Sequence, residues 1–212
     1  MEDKQLSTEQ SLDLIARMLE NSRRNFNDRG GAMFLIWGYT TIAVTVAVYL
    51  AVALSDNRNF MWLWCALPLI GTILTVRHMN KHRSAVQTHL DKSIWSVWAV
   101  LSGATVCCMV STYTIALMGG KSSIDILFTI GLLMSVGTAI TGRMIKFYPV
   151  EFGGFVGMGL SFAIMITHGT VWQMPLFAAV FLFGQIIPGH MLNAACRREA
   201  AGRDEAGKRR AR

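Results

Sequence analysis

The segment HMNKHRSAVQTHLDK, residues 78–92, has the chain's densest group of side chains that bind metals or move protons. On one helix, His78 and His82 would share a face, whereas His89 would lie about 16 Å from His78 at 1.5 Å per residue. The spacing resembles the HExxH pattern of zinc proteases, but Met79 stands where the general base belongs. His78 and His82 are therefore only weak metal-ligand candidates, and we predict no catalytic zinc.

The neighbouring cations favour a different interpretation of this segment. Arg77, Lys81 and Arg83 would repel a metal ion. Basic residues beside a membrane bind anionic lipid headgroups, at about 1 kcal/mol each. We therefore predict that the loop 77–92 contacts anionic headgroups. A pH-sensitive loop is the remaining alternative, because its histidine side chains become protonated at about pH 6.

The rest of the chain holds no pattern typical of an enzyme. A Ser-His-Asp set, a CxxC pair, a phosphate loop and a dinucleotide fingerprint are all missing from the sequence. The four cysteines have neither a disulfide-framework spacing nor a zinc spacing; they are Cys65, Cys107, Cys108 and Cys196. We predict no catalytic residues, no cofactor and no nucleic-acid partner.

Composition predicts an all-α protein of the membrane. Of the 212 residues, 52% are hydrophobic and 16% are charged, against roughly 25% charged in soluble domains. Six apolar stretches have the length of about 17–25 residues that a membrane-spanning helix needs. They lack the alternation of a β-barrel. We predict a polytopic six-helix transmembrane bundle, residues 30–192, with spans near 31–54, 60–76, 93–118, 124–142, 150–168 and 171–192.

Basic residues predict the orientation of the bundle. With the N-terminus in the cytoplasm, the internal cytoplasmic loops hold Arg77, Lys81, Arg83, Lys92, Arg143 and Lys146. The external loops hold only Arg58 and Lys121. This asymmetry follows the positive-inside rule, so we predict that both termini are cytoplasmic. The first apolar run is too long for a signal-peptide core, so we expect no cleaved leader.

The two tails are predicted to differ from each other. Residues 1–29 form a cytoplasmic amphipathic helix that begins with a capping box of Ser7 and Gln10. Its apolar stripe is a predicted docking surface that consists of Leu12, Ile15, Leu19 and Phe26. The stripe packs on its own bundle, on a second copy or on a soluble cytoplasmic partner. Residues 193–212 are a basic cytoplasmic tail, which we predict to be disordered or a frayed helix.

Small residues predict helix contacts inside the bundle. They recur at spacings of three, four and seven residues in Gly131 and Ser135, in Gly153, Gly157 and Ser161, and in Ser96, Gly103, Cys107, Ser111 and Thr114. Such seams let helices approach closely, so we expect each to face the bundle interior. The alternative is a narrow pathway for a neutral solute. Gln185 and the Pro188-Gly189 pair predict an interhelical hydrogen bond and a kink.

Ionisable residues are missing from the centres of the predicted spans, which disfavours a proton pump or an ion-coupled transporter. Glu151 follows Pro149 and opens a glycine-rich run, so it is a candidate gate. The alternative is a carboxylate stabilised by the dipole at a helix N-terminus.

One stretch resembles a known family. The helix SLDLIARMLENSRRNF, followed by a short polar hinge and MFLIWGY, resembles the start of a family of uncharacterised bacterial multi-pass inner-membrane proteins. The resemblance covers roughly residues 8–50. It implies a bacterial inner-membrane location, often beside a small winged-helix regulator, and implies no activity and no site residues.

These patterns predict a non-enzymatic interaction or regulatory component of the membrane, because the unusual features lie at the cytoplasmic surface. The alternative function is a small transporter or channel for a neutral or lipophilic solute, which would use the small-residue faces.

Overall fold

The structure, a computed structural model, describes residues 8–55, 63–81, 89–120 and 125–210; side chains are described from residue 31 onward, apart from part of the C-terminal tail. The described chain is all-α and contains no strand, so the predicted fold class is confirmed. Its helices are α1 (Thr8–Ser55), α2 (Ala66–Lys81), α3 (His89–Leu117), α4 (Ile126–Ile145), α5 (Tyr148–Ile166), α6 (Gln173–Phe181) and α7 (Ile187–Arg210), with a π-helical segment (Leu182–Ile186) between the last two.

Five stretches are long and apolar enough to cross a membrane, which makes the chain a multi-pass membrane protein. They are Gly31–Leu54, His89–Leu117, Ile126–Ile145, Tyr148–Ile166 and Gln173–Arg198. The second predicted span, 60–76, begins outside the described residues. The described helix in that region is α2, which has 16 residues and ends at Lys81. A bilayer crossing by α2 therefore stays a prediction.

Two hydrophobic clusters mark the two ends of the bundle. Phe34, Ile94, Val150 and Leu192 belong to one cluster, at the end that we call the basic end. The other cluster defines the opposite end and is built on Leu127, Ile164, Phe177, Val180 and Phe181, with Trp64 and Ile42 packed against it. From α3 onward, successive spans therefore run in alternating directions, whereas α1 and α3 both run from the basic end to the opposite end. Helix α2 lies between α1 and α3 in the sequence.

Helix α1 is one unbroken helix of 48 residues. It continues through Gly30 and Gly31, so the predicted polar hinge does not interrupt it. At 1.5 Å per residue, the part before Gly31 extends about 34 Å beyond the start of the span. The side chains of the predicted docking surface lie in this part, outside the described side chains.

The C-terminal tail is helical rather than disordered up to residue 210, because α7 continues from the last span to Arg210. The segment REAAGRDEAGKRR is rich in alanine, arginine, glutamate and lysine, which are the best helix formers. Helical propensity favours this conformation, and a helix was one of the two alternatives predicted for the tail.

Helices α4 and α5 form a tight antiparallel hairpin and make the most extensive helix contact of the described chain. The turn between them consists of Lys146 and Phe147. Lys146 adopts the left-handed conformation, with φ of 55°, and its N–H donates to Arg143 O. This is the usual way for a helix to end in a sharp turn. Pro149 then occupies the first turn of α5, where a missing N–H costs nothing.

Helix α3 lies at the edge of the bundle. Only 6% of the most apolar part of α3 is buried inside the bundle, against 33–50% of the corresponding parts of the other four spans. Its inward residues are Ile94, Trp98 and Leu101: Ile94 is buried, and the last two pack against Gly137 of α4. The Trp98 indole N–H also donates to Thr141 Oγ1 at 3.1 Å.

The predicted inward face of α3 is therefore wrong. Its five small residues, Ser96, Gly103, Cys107, Ser111 and Thr114, are all exposed. A Cβ atom added to Gly103 would have no neighbour within 4 Å. Large residues, rather than small ones, attach this helix to α4.

Candidate functional site

The last membrane span is interrupted by a π-helical segment at Leu182–Ile186. The Ile187 N–H bonds to Leu182 O, five residues back, rather than to the usual carbonyl four residues back. Pro188 explains the location, because proline has no N–H to continue the α-helical ladder and its ring would clash with the carbonyl four residues earlier. The predicted kink is thus a π-bulge, a feature that frequently occurs at functional sites.

Gln185 lies inside this segment and is only 3% exposed. Its Oε1 atom is buried and has no hydrogen-bond partner among the described residues. We predicted an interhelical hydrogen bond of the Gln185 side chain, and its oxygen forms none among the described residues. An unsatisfied buried polar group costs about 1–3 kcal/mol, so this oxygen is chemically unusual inside an apolar bundle.

Glycines of α1 and α5 surround the π-helical segment. A Cβ atom added to Gly38 would lie 2.7 Å from Ile186 Cγ1 and 3.5 Å from Gln185 Cβ. On the other side, a Cβ atom at Gly153 would collide with the Pro188 ring and lie 3.0 Å from Phe183 O. The absence of side chains at these positions lets the backbones of two helices approach the bulge directly.

Several hydroxyl groups inside the bundle donate hydrogen bonds within their own helices. Thr45 donates to Thr41 O at 2.7 Å, and Thr141 donates to Gly137 O at 2.7 Å. Such bonds satisfy a buried hydroxyl without help from a neighbouring helix. Within the described part of the chain, the Gln185 amide oxygen has no such bond, and neither do the buried hydroxyls of Thr75 and Thr112.

The predicted packing residues of α4 and α5 lie opposite one another. A Cβ atom at Gly131 would lie 2.9 Å from Ser161 Oγ, and one at Gly157 would collide with Ser135 Oγ. Both serine hydroxyls donate back to a carbonyl of their own helix, Ser135 to Gly131 O and Ser161 to Gly157 O. The fifth residue, Gly153, faces the π-helical segment instead. The structure thus divides these residues between two helix contacts.

A polar cluster at the opposite end was not predicted from the sequence. Asp125 caps α4: its Oδ1 accepts from the Leu127 and Phe128 N–H groups at 3.0 and 3.1 Å. Its Oδ2 lies 2.6 Å from His168 Nδ1 and accepts from Gln173 Nε2, also at 2.6 Å. The cluster ties the start of α4 to the turn between α5 and α6.

Comparison with known proteins identifies no relative: no family model, no curated protein and no solved structure matches the chain significantly. The resemblance of residues 8–50 to inner-membrane proteins therefore stays a prediction from the sequence.

Glu151, the candidate gate, forms an ion pair across the α4–α5 turn. Its Oε1 lies 3.1 Å from Arg143 Nε, and the Glu151 side chain is 16% exposed against 80% for Arg143. Glu151 also lies in the first turn of α5, where the helix dipole favours a negative charge. These contacts give the carboxylate a structural role and leave the gate untested.

Replacement of Glu151 by glutamine should therefore change the free energy of unfolding by less than about 1 kcal/mol, because an ion pair with one exposed partner is weak. Reversible unfolding in mixed micelles would measure this. A loss well above that range would show that the Glu151 carboxylate has partners beyond Arg143.

The structure describes only one of the two weak metal candidates. His78 lies in the last turns of α2, whereas His82 lies outside the described residues, and His89 begins α3. Within the described ranges, no group of three or more His, Cys, Asp or Glu side chains could hold a metal ion.

Proposed function

We propose that this chain is a non-enzymatic interaction or regulatory component of a bacterial inner membrane, and that the N-terminal part of α1 docks a soluble cytoplasmic protein. The observation that carries the proposal is the continuity of α1, which is one helix from Thr8 to Ser55. A helix without a hinge cannot fold back onto the membrane surface. The predicted docking surface is therefore held away from the bilayer, where a soluble partner can reach it.

The charge distribution supports a cytoplasmic location for this part of α1. In the described chain, lysine and arginine side chains outside α1 lie at the basic end, from which α1 also projects; they include Arg77, Lys92, Arg143 and Arg197. The described residues of the opposite end include no lysine or arginine. Cytoplasmic ends of membrane proteins carry such an excess of basic residues.

The partner that fits is a protein with an apolar groove. The stripe of Leu12, Ile15, Leu19 and Phe26 has the spacing by which an amphipathic helix lies in a hydrophobic groove. The other face carries Asp13, Arg17, Glu20 and Arg24, which pair acid with base along the helix. This balanced face favours a protein partner over an anionic membrane surface.

Substitution of Leu12 and Leu19 together by glutamate should reduce recovery of the partner at least tenfold in affinity purification from native membranes. The matched control replaces Asp13 and Glu20 by serine on the polar face and should leave recovery unchanged. Insertion of each variant is matched by its amount in washed membranes.

Equal recovery with both variants would contradict the docking role. Loss of a differently tagged second copy, in place of a soluble protein, would assign the stripe to self-association instead.

A second candidate function, a pathway for a neutral solute, is favoured by one observation, the unpaired amide oxygen of Gln185 inside the membrane span. Flux of small neutral solutes into proteoliposomes, compared with liposomes without the protein, tests it. Flux no faster than in the protein-free liposomes would exclude this candidate for the solutes assayed.

A further inference from the structure

We infer that Gln185, within the π-helical segment, forms an intramembrane binding site for a neutral hydroxyl group. The inference does not depend on the docking role of α1, and it names the position that a neutral-solute pathway would use. It begins from the unpaired Oε1 atom, which is an acceptor only, so its missing partner must be a hydrogen-bond donor.

The part of the last span that ends at Cys196 and carries Gln185 contains no acidic residue, lysine or arginine, and neither does the span of α1 that faces it. Between Gly31 and Leu54, and between Gln173 and Cys196, the sequence contains no Asp, Glu, Lys or Arg. A charged ligand would therefore be desolvated at this depth without a counter-charge on either helix, which is costly. On α5, which also packs on this segment, the Glu151 carboxylate is already paired with Arg143. The donor is neutral.

The backbone of the π-bulge adds a second acceptor to the same segment. Pro188 offers no N–H, so one carbonyl of the preceding turn lacks its helical donor. The Phe183 and Gly184 carbonyls face Gly153, at 3.0 and 3.3 Å from a Cβ atom placed there. These acceptors favour a ligand that brings its own O–H.

The ligand group must also be small. Gly38 places the α1 backbone beside Gln185, and even a methyl group at Gly38 would press against Ile186. This close approach of α1 excludes a bulky polar group. The O–H has two possible sources, a water molecule held in the bundle or the hydroxyl of an alcohol that enters from the bilayer.

The sign of one stability change tests the inference. Gln185→Met preserves the shape of the side chain and removes the amide. If a donor occupies the site, this full-length variant in nanodiscs should have a Tm lower by about 3 °C or more, because it loses a satisfied bond. A Tm equal to or above that of the wild-type chain would overturn the inference, because removal of an empty, unpaired amide relieves a cost.

Photolabelling distinguishes the two sources. An octanol that carries a diazirine should label the Leu182–Ile186 segment of the wild-type chain, and excess unlabelled octanol should reduce the labelling at least fivefold, whereas a diazirine octane should not label this segment. This result assigns the site to an alcohol. A lower Tm of Gln185→Met without specific labelling assigns it to water.

If Gln185→Met does not fold, a measurement on the wild-type chain tests the inference instead. Isotope-edited infrared spectroscopy of a ¹³C-labelled Gln185 amide reports whether its carbonyl accepts a hydrogen bond. A frequency shifted down from that of a free amide supports the site, and the frequency of a free amide overturns it.

Discussion

Replacement of Gly154 by alanine is expected to lower the free energy of unfolding by about 1–3 kcal/mol, although it adds one methyl group. The reason is what the methyl group would meet. It would lie 2.5 Å from Ala139 N and 2.7 Å from Ala139 Cα. These are backbone atoms of α4, which cannot rotate away as a side chain can, so the whole hairpin must open to make room.

Gly159, on the same helix, provides the matched control. It is exposed, and a Cβ atom there would meet nothing within 4 Å. Gly159→Ala should therefore leave stability unchanged or raise it by up to about 1 kcal/mol, because alanine is the better helix former. Unfolding of both variants in mixed micelles measures the difference. Equal stabilities would show that α4 and α5 are not in backbone contact.

The second large effect is expected at the polar cluster of the opposite end. Asp125→Ala removes the acceptor for two N–H groups at the start of α4 and for the Gln173 amide. Loss of a helix cap costs about 1 kcal/mol, and a net hydrogen bond is worth about 1 kcal/mol. We therefore expect a total loss of about 2 kcal/mol.

Two further variants divide this effect into its parts. Asp125→Asn retains an oxygen that can cap α4, so it should cost less than half as much as Asp125→Ala. His168→Ala should cost less than about 1 kcal/mol, because the His168 side chain is 69% exposed. Thermal unfolding of the three variants gives the order. A His168 variant as unstable as Asp125→Ala would show that the histidine, rather than the helix cap, holds this end together.

The five long apolar stretches of the structure lie within a few residues of the predicted spans at most of their ends. The predicted 31–54 corresponds to Gly31–Leu54, and the predicted 150–168 corresponds to Tyr148–Ile166. This agreement has a physical cause, since the length of an apolar run in a bilayer is set by the thickness of the hydrocarbon. The last span extends to Arg198, beyond the predicted residue 192, because α7 continues as a helix into the tail.

Helix faces were harder to predict than helix positions. A stripe of small residues lets another helix approach, but the lipid accepts the same stripe without a penalty, so the pattern alone does not show which side faces inward. On α5, Gly157 faces α4, whereas on α3 the equivalent stripe around Gly103 is exposed. What decides the orientation of α3 is the fit of Trp98 and Leu101 over Gly137, which depends on tertiary structure.

The candidate site was also predicted only in part from the sequence. Pro188 predicted an irregularity in the last span, because its missing N–H is a property of the residue itself. The unpaired state of Gln185 depends on the helices that pack around it, among them α1, whose Gly38 is 147 positions earlier in the chain. Asp125 and His168 are likewise 43 residues apart and meet only in the folded bundle.

The short turn between α4 and α5 has a consequence for biosynthesis. Two residues, Lys146 and Phe147, separate the helices, and they span at most about 7 Å of extended chain. This is far less than the hydrocarbon thickness of about 30 Å. The turn therefore stays at the membrane face where α4 ends, and α5 begins there. We expect the two helices to insert as a hairpin, because no loop between them has to cross the bilayer.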